Sequence, residues 1–244
     1  MKILITGASS GLGEELARRY ATKENTLYLL ARREDRLVKL KNELQNKTKL
    51  IKIIVADVTQ FEALQQKINA IGTIDMVILN AGISLGHTHS TMTSLRDFKN
   101  LYDVNVISNH AILEVLIPKF VAQQSGKIVF ISSLASLFSM PSSKVYSSSK
   151  RALNAYAEGI RYKYKNDNIK VINILPGFIK SELTDKNEFY MPFLLSTQEG
   201  VDKIYKAIQK ERCFYPFPLR FYLIIKFLNL LPQSLRDIIV NSKK

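Results

Sequence analysis

The chain has 244 residues, 46% of them hydrophobic, which suits one α/β domain with a sizeable core. A single cysteine, Cys213, excludes an internal disulfide and agrees with a reducing, cytoplasmic setting. Basic residues outnumber acidic ones 35 to 21, but they are dispersed, with no aromatic-interleaved strand and no helix-turn-helix signature, so nucleic acid is not the expected partner. The three histidines, His87, His89 and His110, have no Cys or carboxylate partners in a ligand pattern, so no metal is expected.

In chain order, Lys2 to Thr6 is a short β-branched apolar run, predicted as a strand. A strand starting at residue 2 is expected to leave no room for a leader peptide. The segment Gly7-Ala8-Ser9-Ser10-Gly11-Leu12-Gly13 follows at once, and then a helical pattern from Glu14 to Thr22. Strand, glycine-rich turn and helix is the context in which backbone amides at a helix N-terminus receive a pyrophosphate. A second buried strand, Thr26 to Ala31, ends in Arg32-Arg33. The position after that strand meets the adenosine ribose, where a carboxylate suits NAD and an arginine the 2′-phosphate of NADP. NADP(H) is therefore favoured over NAD(H), with Arg32 the first candidate and Arg33 the second.

Strands and helices continue to alternate. Leu50 to Ala56 ends in Asp57-Val58, Ile74 to Leu79 ends in Asn80-Ala81-Gly82, and Gly126 to Ser132 precedes Ser133. Ile169 to Leu175 ends in Pro176-Gly177. Helical patterns fill 33–45, 61–70, 94–116 and 143–165. This alternation predicts a doubly wound parallel sheet of the Rossmann type with helices on both faces, and the unusual residues all fall just after strand carboxyl ends, where such sheets bind ligands. In the last of those helices Tyr146 and Lys150 are four residues apart and share a face. A cation there is expected to draw the phenol's pKa down toward working pH, making Tyr146 a general acid for a carbonyl oxygen. Taken alone, a tyrosine and a lysine at that spacing are ordinarily a solvated helix face.

Thr6-Gly7-x-x-x-Gly11-x-Gly13, Asp57, Asn80-Ala81-Gly82, Asn105, Ser133, Tyr146-x-x-x-Lys150 and Pro176-Gly177, all in order, resemble the short-chain dehydrogenase/reductase family of the classical type. The resemblance covers residues 2 to 184 or so. It implies an enzyme, an NADP(H)-dependent oxidoreductase acting on a carbonyl or alcohol. Gly7, Ser9, Ser10, Gly11 and Gly13 would cradle the cofactor phosphates, and Asp57 and Val58 would hold the adenine. Asn80, Ala81 and Gly82 would adjoin the ribose, with Tyr146 and Lys150 also touching the cofactor. Ser133, thirteen residues before Tyr146, would hydrogen-bond the substrate oxygen in preference to Ser132, and Asn105 would hold a water relaying protons from Lys150. Pro176, Gly177 and Thr184 would close over the nicotinamide. The competing reading is a non-catalytic NADP-sensing protein on the same fold, against which the full set Asn105, Ser133, Tyr146 and Lys150 argues.

The family pattern fails after residue 217, dividing the chain into 1–217, the cofactor-binding and catalytic domain, and 218–244, an apolar, basic helical extension. Cys213 to Phe217 is a candidate last strand, and no glycine-rich end follows. Residues 218–232 predict an amphipathic helix with Phe221, Ile224, Phe227, Leu228 and Leu231 on one face. It is too short and charged to span a bilayer. A helix packed over the cleft or against a dimer partner is favoured over a membrane-surface anchor, and its apolar character hints at a lipid-like substrate. A homo-oligomer, a dimer first, is the expected assembly, and the expected setting is cytoplasmic with peripheral membrane contact as the alternative.

Overall fold

The computed structural model describes residues 1–85, 92–185 and 190–241. Seven strands, β1 (Lys2–Thr6), β2 (Thr26–Ala31), β3 (Leu50–Val55), β4 (Met76–Leu79), β5 (Gly126–Ile131), β6 (Ile169–Pro176) and β7 (Phe214–Phe217), form one parallel sheet. Their order is β3-β2-β1-β4-β5-β6-β7. Direction of winding reverses between β1 and β4, so the crevice beyond their carboxyl ends is the ligand position of the fold.

Both faces of the sheet are covered, which is why β2 is buried at every position. Alternate residues of β1 serve opposite cores: Ile3 and Ile5 one, Leu4 the other. The first core receives Leu16 and Tyr20 of α1 (Gly11–Tyr20), Leu37 and Leu40 of α2 (Glu34–Leu44), and Ile204 and Ile208 of α7 (Thr197–Gln209). The second receives Leu64 of α3 (Phe61–Asn69), Leu116 and Phe120 of α5 (Ser108–Gln123), and Leu153 of α6 (Lys144–Lys163). A further helix, α4 (Leu95–Tyr102), leads into α5 through a π-helical stretch, Asp103–Ile107. The combined run Leu95–Gln123 is long and apolar enough to cross a membrane, yet its most apolar 18-residue stretch is 56% buried inside the fold.

Several boundaries differ from the sequence reading. Helix α1 begins at Gly11, three residues before Glu14, because the turn is complete at Ser10, which stands in extended geometry at the N-cap. The single helix expected over 94–116 is three segments reaching Gln123. Helix α7 was not anticipated, although Ser196 and Glu199 form the reciprocal capping box that marks a helix start. Beyond β7 lie α8 (Leu219–Leu230) and α9 (Gln233–Asn241).

The glycines of the first turn are sterically required. Gly7 adopts φ +66°, in the left-handed region. A Cβ on Gly13 would stand 2.2 Å from the Gly7 carbonyl oxygen and 2.6 Å from the Asn80 side-chain amide. Gly13→Ala is therefore expected to push α1 off β1 and cost about 1–3 kcal/mol, the usual range for overpacking. Thermal unfolding checks this, and an unchanged midpoint would contradict the packing argument.

Candidate active site

Asn80 ties the switch point together. Its side-chain amide donates to the Thr6 carbonyl at 3.0 Å and the Gly7 carbonyl at 3.4 Å. The Thr6 hydroxyl in turn accepts from the backbone amides of Asn80 and Ala81 at 2.9 and 3.0 Å. The glycine turn is thus pinned to the end of β4, and Gly82 follows within reach of both Asn105 and Lys150.

Beyond this turn opens a cavity of about 970 Å³. Every expected site residue lines it except Gly13 and Asn105. Gly13 acts behind the turn through packing. Asn105 is fully buried in the π-helical stretch, and its side chain is occupied: Oδ1 accepts from the Ile83 amide at 2.8 Å, and Nδ2 donates to the Ile83 carbonyl at 3.0 Å and to Ser149 at 3.1 Å. The implied water-holding role for this side chain thus meets a competing one, that of clamping the strand-to-loop exit of β4 to α6.

Ser133, Tyr146 and Lys150 converge at the centre. The Ser133 hydroxyl accepts from the Ala135 amide at 3.1 Å, donates toward the Pro176 carbonyl at 3.5 Å and bears on the Tyr146 phenol. Ser132, by contrast, is buried and turned to the Lys150 carbonyl at 3.3 Å, which supports Ser133 as the substrate-facing hydroxyl. Lys150 lies over the Tyr146 ring, 5.8 Å from its centroid, and donates to the Ile131 carbonyl at 2.9 Å. Burial pushes the Tyr146 phenol up, with the Ser133 hydrogen bond opposing it. This corrects the expectation that Lys150 draws the phenol down: desolvation dominates, and the ammonium is directed at a backbone carbonyl. A raised phenol is held protonated, the form that donates. Burial also lowers Lys150 from 10.5 to about 8.

At the other end, Arg33 is the arginine folded over the glycine turn. Its Nε donates to the Ser9 hydroxyl at 3.2 Å and Nη2 to the Ser10 hydroxyl at 2.6 Å. Arg32 is 67% exposed and faces Asp57 at 3.6 Å. Both arginines line the cavity, with Arg33 the nearer to the turn hydroxyls. Burial of Asp57 acts to raise its pKa, but the Thr59 amide and hydroxyl, both at 2.9 Å, and Arg32 hold it below the usual range. Thr184 lines the cavity, but its hydroxyl is tied to its own turn, donating toward Ile179 at 2.8 Å and accepting from the Ser181 amide at 2.9 Å. These bonds hold the loop that Thr184 sits on.

Sequence reasoning missed one pairing. Glu182 bridges Arg33 and Arg36, and nothing in its spacing signals this. The inner face of α8 lines the cavity through Phe221, Ile225 and Leu228. Of the face expected from periodicity, Phe221, Ile224 and Leu228 line the cavity, whereas Phe227 is exposed and Ile225, outside that set, is the buried residue. His110 pairs with the Tyr156 hydroxyl at 2.8 Å, and His87 and His89 lie outside the described residues.

A parallel sheet with a glycine turn at its switch point and a Ser–Tyr–Lys cluster beside it defines a nucleotide-binding oxidoreductase. The short chain dehydrogenase family model matches residues 1–190, and the chain belongs to that family. An uncharacterized oxidoreductase of Myxococcus xanthus is 33% identical over 96% of this chain and 94% of its own. A short-chain dehydrogenase from Sphingobium yanoikuyae, in complex with NADPH, superposes with TM-score 0.83 at 22% identity, covering 96% of this chain and 97% of that one. One from Burkholderia phymatum, in complex with NAD, superposes with TM-score 0.82 at 21% identity over 92% and 91% of the two chains. The chain is an oxidoreductase of this type.

The buried lysine carries a stability consequence. Between pH 8 and 10.5 the unfolded chain keeps a proton on Lys150 that the folded chain has released, so folded stability rises with pH across that window. Below pH 8 the buried charge costs up to about 3 kcal/mol, partly offset by about 1 kcal/mol from the Ile131 hydrogen bond. Cofactor-free Lys150→Met is therefore expected to be more stable than wild type at pH 7 by about 2 kcal/mol. The gap should close as pH rises to 10. Urea midpoints across that range check it, and parallel curves would contradict the burial assignment.

Proposed function

We propose that the chain is an NADP(H)-dependent carbonyl reductase or alcohol dehydrogenase acting on an apolar, lipid-like substrate, with Tyr146 as general acid/base. The observation that carries this reading is the convergence of Ser133, Tyr146 and Lys150 in one cavity with the glycine turn and Arg33. The residues present fit a dinucleotide: a turn that no side chain can fill, and an arginine beside the turn hydroxyls where a 2′-phosphate belongs. NADP(H), when bound, supplies or accepts the hydride.

The chain's own residues manage the oxygen. Ser133 and Tyr146 are placed to share a substrate carbonyl oxygen between their hydroxyls. In reduction the neutral Tyr146 would give its proton to that oxygen, while the bound cofactor would supply the hydride that makes the carbonyl an alcohol. Lys150, protonated at pH 7, steadies the phenolate left behind. Asn105 acts at one remove, fixing Ile83 and Ser149.

Substrate class follows from the lining. Apart from Tyr146 and Lys150 at the centre, the charged lining residues Arg32, Arg33, Asp57 and Glu182 belong to the nucleotide end, while the rest of the wall includes Leu134, Phe138, Phe193, Phe221, Ile225 and Leu228 beside the hydroxyls of Ser142 and Ser143. A charged or sugar-like substrate would leave its polar groups unpaired there.

Tyr146→Phe is expected to lower kcat by about 10²–10⁴-fold or more while NADPH binding stays within a few-fold. NADPH oxidation and fluorescence titration read the two quantities, and wild-type turnover would sink the assignment. Arg33→Ala should reduce the NADP-over-NAD ratio of kcat/KM by about tenfold or more, Arg32→Ala by much less, since a charge-assisted phosphate contact is worth roughly 1.5–3 kcal/mol. Equal effects would mean that Arg33 does not read the phosphate.

A further inference from the structure

We propose that the outer face of α8 docks the protein on an anionic lipid surface, beside the mouth of the substrate chamber. Helix α8 is apolar on both sides. Phe221, Ile225 and Leu228 turn inward to the chamber wall, and Asn229 secures the helix by donating to the Leu137 carbonyl at 2.9 Å. On the other side Leu219, Leu223, Phe227 and Leu230 are 52–77% exposed. At about 100° per residue these four occupy roughly 80° of the helix surface, and the exposed cations Arg220 and Lys226 flank that stripe about 20° beyond either edge. An apolar stripe bordered by long cationic side chains on both sides is the form of an interfacial helix. At twelve residues α8 is too short to span. Met140, Tyr190, Phe193 and Ile224 both line the cavity and stand exposed, so its mouth is apolar too.

Charge decides between lipid and a second copy. A twofold interface sets a patch against itself. From Arg212 through Arg236 the chain has four basic residues and no acidic one, so the stripe brings no carboxylate to meet Arg220 and Lys226. Lipid phosphates meet both. The docking rests on the exposed face alone and stands apart from the reading of the reaction.

The experiment is vesicle sedimentation of the full chain with phosphatidylcholine alone and with phosphatidylglycerol added. Binding should be about 25-fold tighter on the anionic vesicles at low salt, given roughly fivefold for each of the two surface cations, and weaken as salt rises. Leu223→Glu/Phe227→Glu should abolish it with NADPH affinity intact, and Arg220→Glu/Lys226→Glu should remove the anionic preference. A chain that stays in the supernatant with every vesicle overturns the proposal. So does a dimer in light scattering that Leu223→Glu/Phe227→Glu converts to monomer, since a second copy would then cover the face.

A different observation concerns the nucleotide end, and it rests on the reading of Arg33 above. The structure assigns Glu182 as a counter-anion at the cofactor phosphate subsite. Its carboxylate takes Arg33 at 2.9 Å and also pairs with Arg36, which together hold it at about 2. A 2′-phosphate arriving at Arg33 must compete with it, whereas a cofactor without that phosphate need not. Glu182→Gln is therefore expected to tighten NADPH several-fold by fluorescence titration and to leave NADH within twofold. Unchanged or weakened NADPH binding, or equal shifts for both, would overturn it. Failure of the Arg33 reading shows separately, as Arg33→Ala binding NADPH like wild type.

Discussion

The contact on which the rest depends is between backbone and backbone, where α1 leaves β1. The Gly7 carbonyl and the Cα of Gly13 come so close that no side chain fits, and the Asn80 amide caps the same carbonyl from β4. This approach draws three elements together at the point where winding reverses. Because α1 lies tight on the sheet, its N-terminal amides face the crevice, and the strand ends carrying Asp57, Gly82, Ser133 and Pro176 open onto the same space. A looser junction would leave the chemistry on β5 and α6 without a cofactor in register.

Electrostatics in the site is set by what is kept dry. Lys150 and Tyr146 are both shifted by desolvation, in the direction that favours the neutral form of each. The bare chain therefore holds a buried ammonium beside a neutral phenol on this one helix face.

Much of this could be read in advance because it obeys short-range rules. Strand β2 was visible as an unbroken apolar run, and the spacing of Tyr146 and Lys150 placed them on one face whatever the tertiary context. The order of the seven strands and the choice between Arg32 and Arg33 needed three dimensions, since adjacent residues at a strand end point to opposite sides. Asn105 was noticed only through family resemblance, because a helical asparagine carries no local mark of what it clamps. Helix α8 was anticipated, with Phe221, Ile224 and Leu228 on a common face, but not the burial of Ile225, since Leu223 and Ile225 are equally apolar in sequence. Glu182 meets Arg33 across 149 positions, a pairing that no window of sequence contains.

The π-helical stretch Asp103–Ile107 has a consequence for how this chain can vary. A π-turn holds about one residue more than an α-turn, so it acts as a rotational offset of about 100° between α4 and α5. Tyr102 reaches Ser148 from one side of that offset, at 3.0 Å, and Asn105 grips Ile83 and Ser149 from within it. Exchange of an exposed side chain here leaves the offset intact. Removal of a single residue would straighten the helix and swing Asn105 away from its partners, while α5 kept its place in the core. The segment is thus forgiving of spelling and intolerant of length.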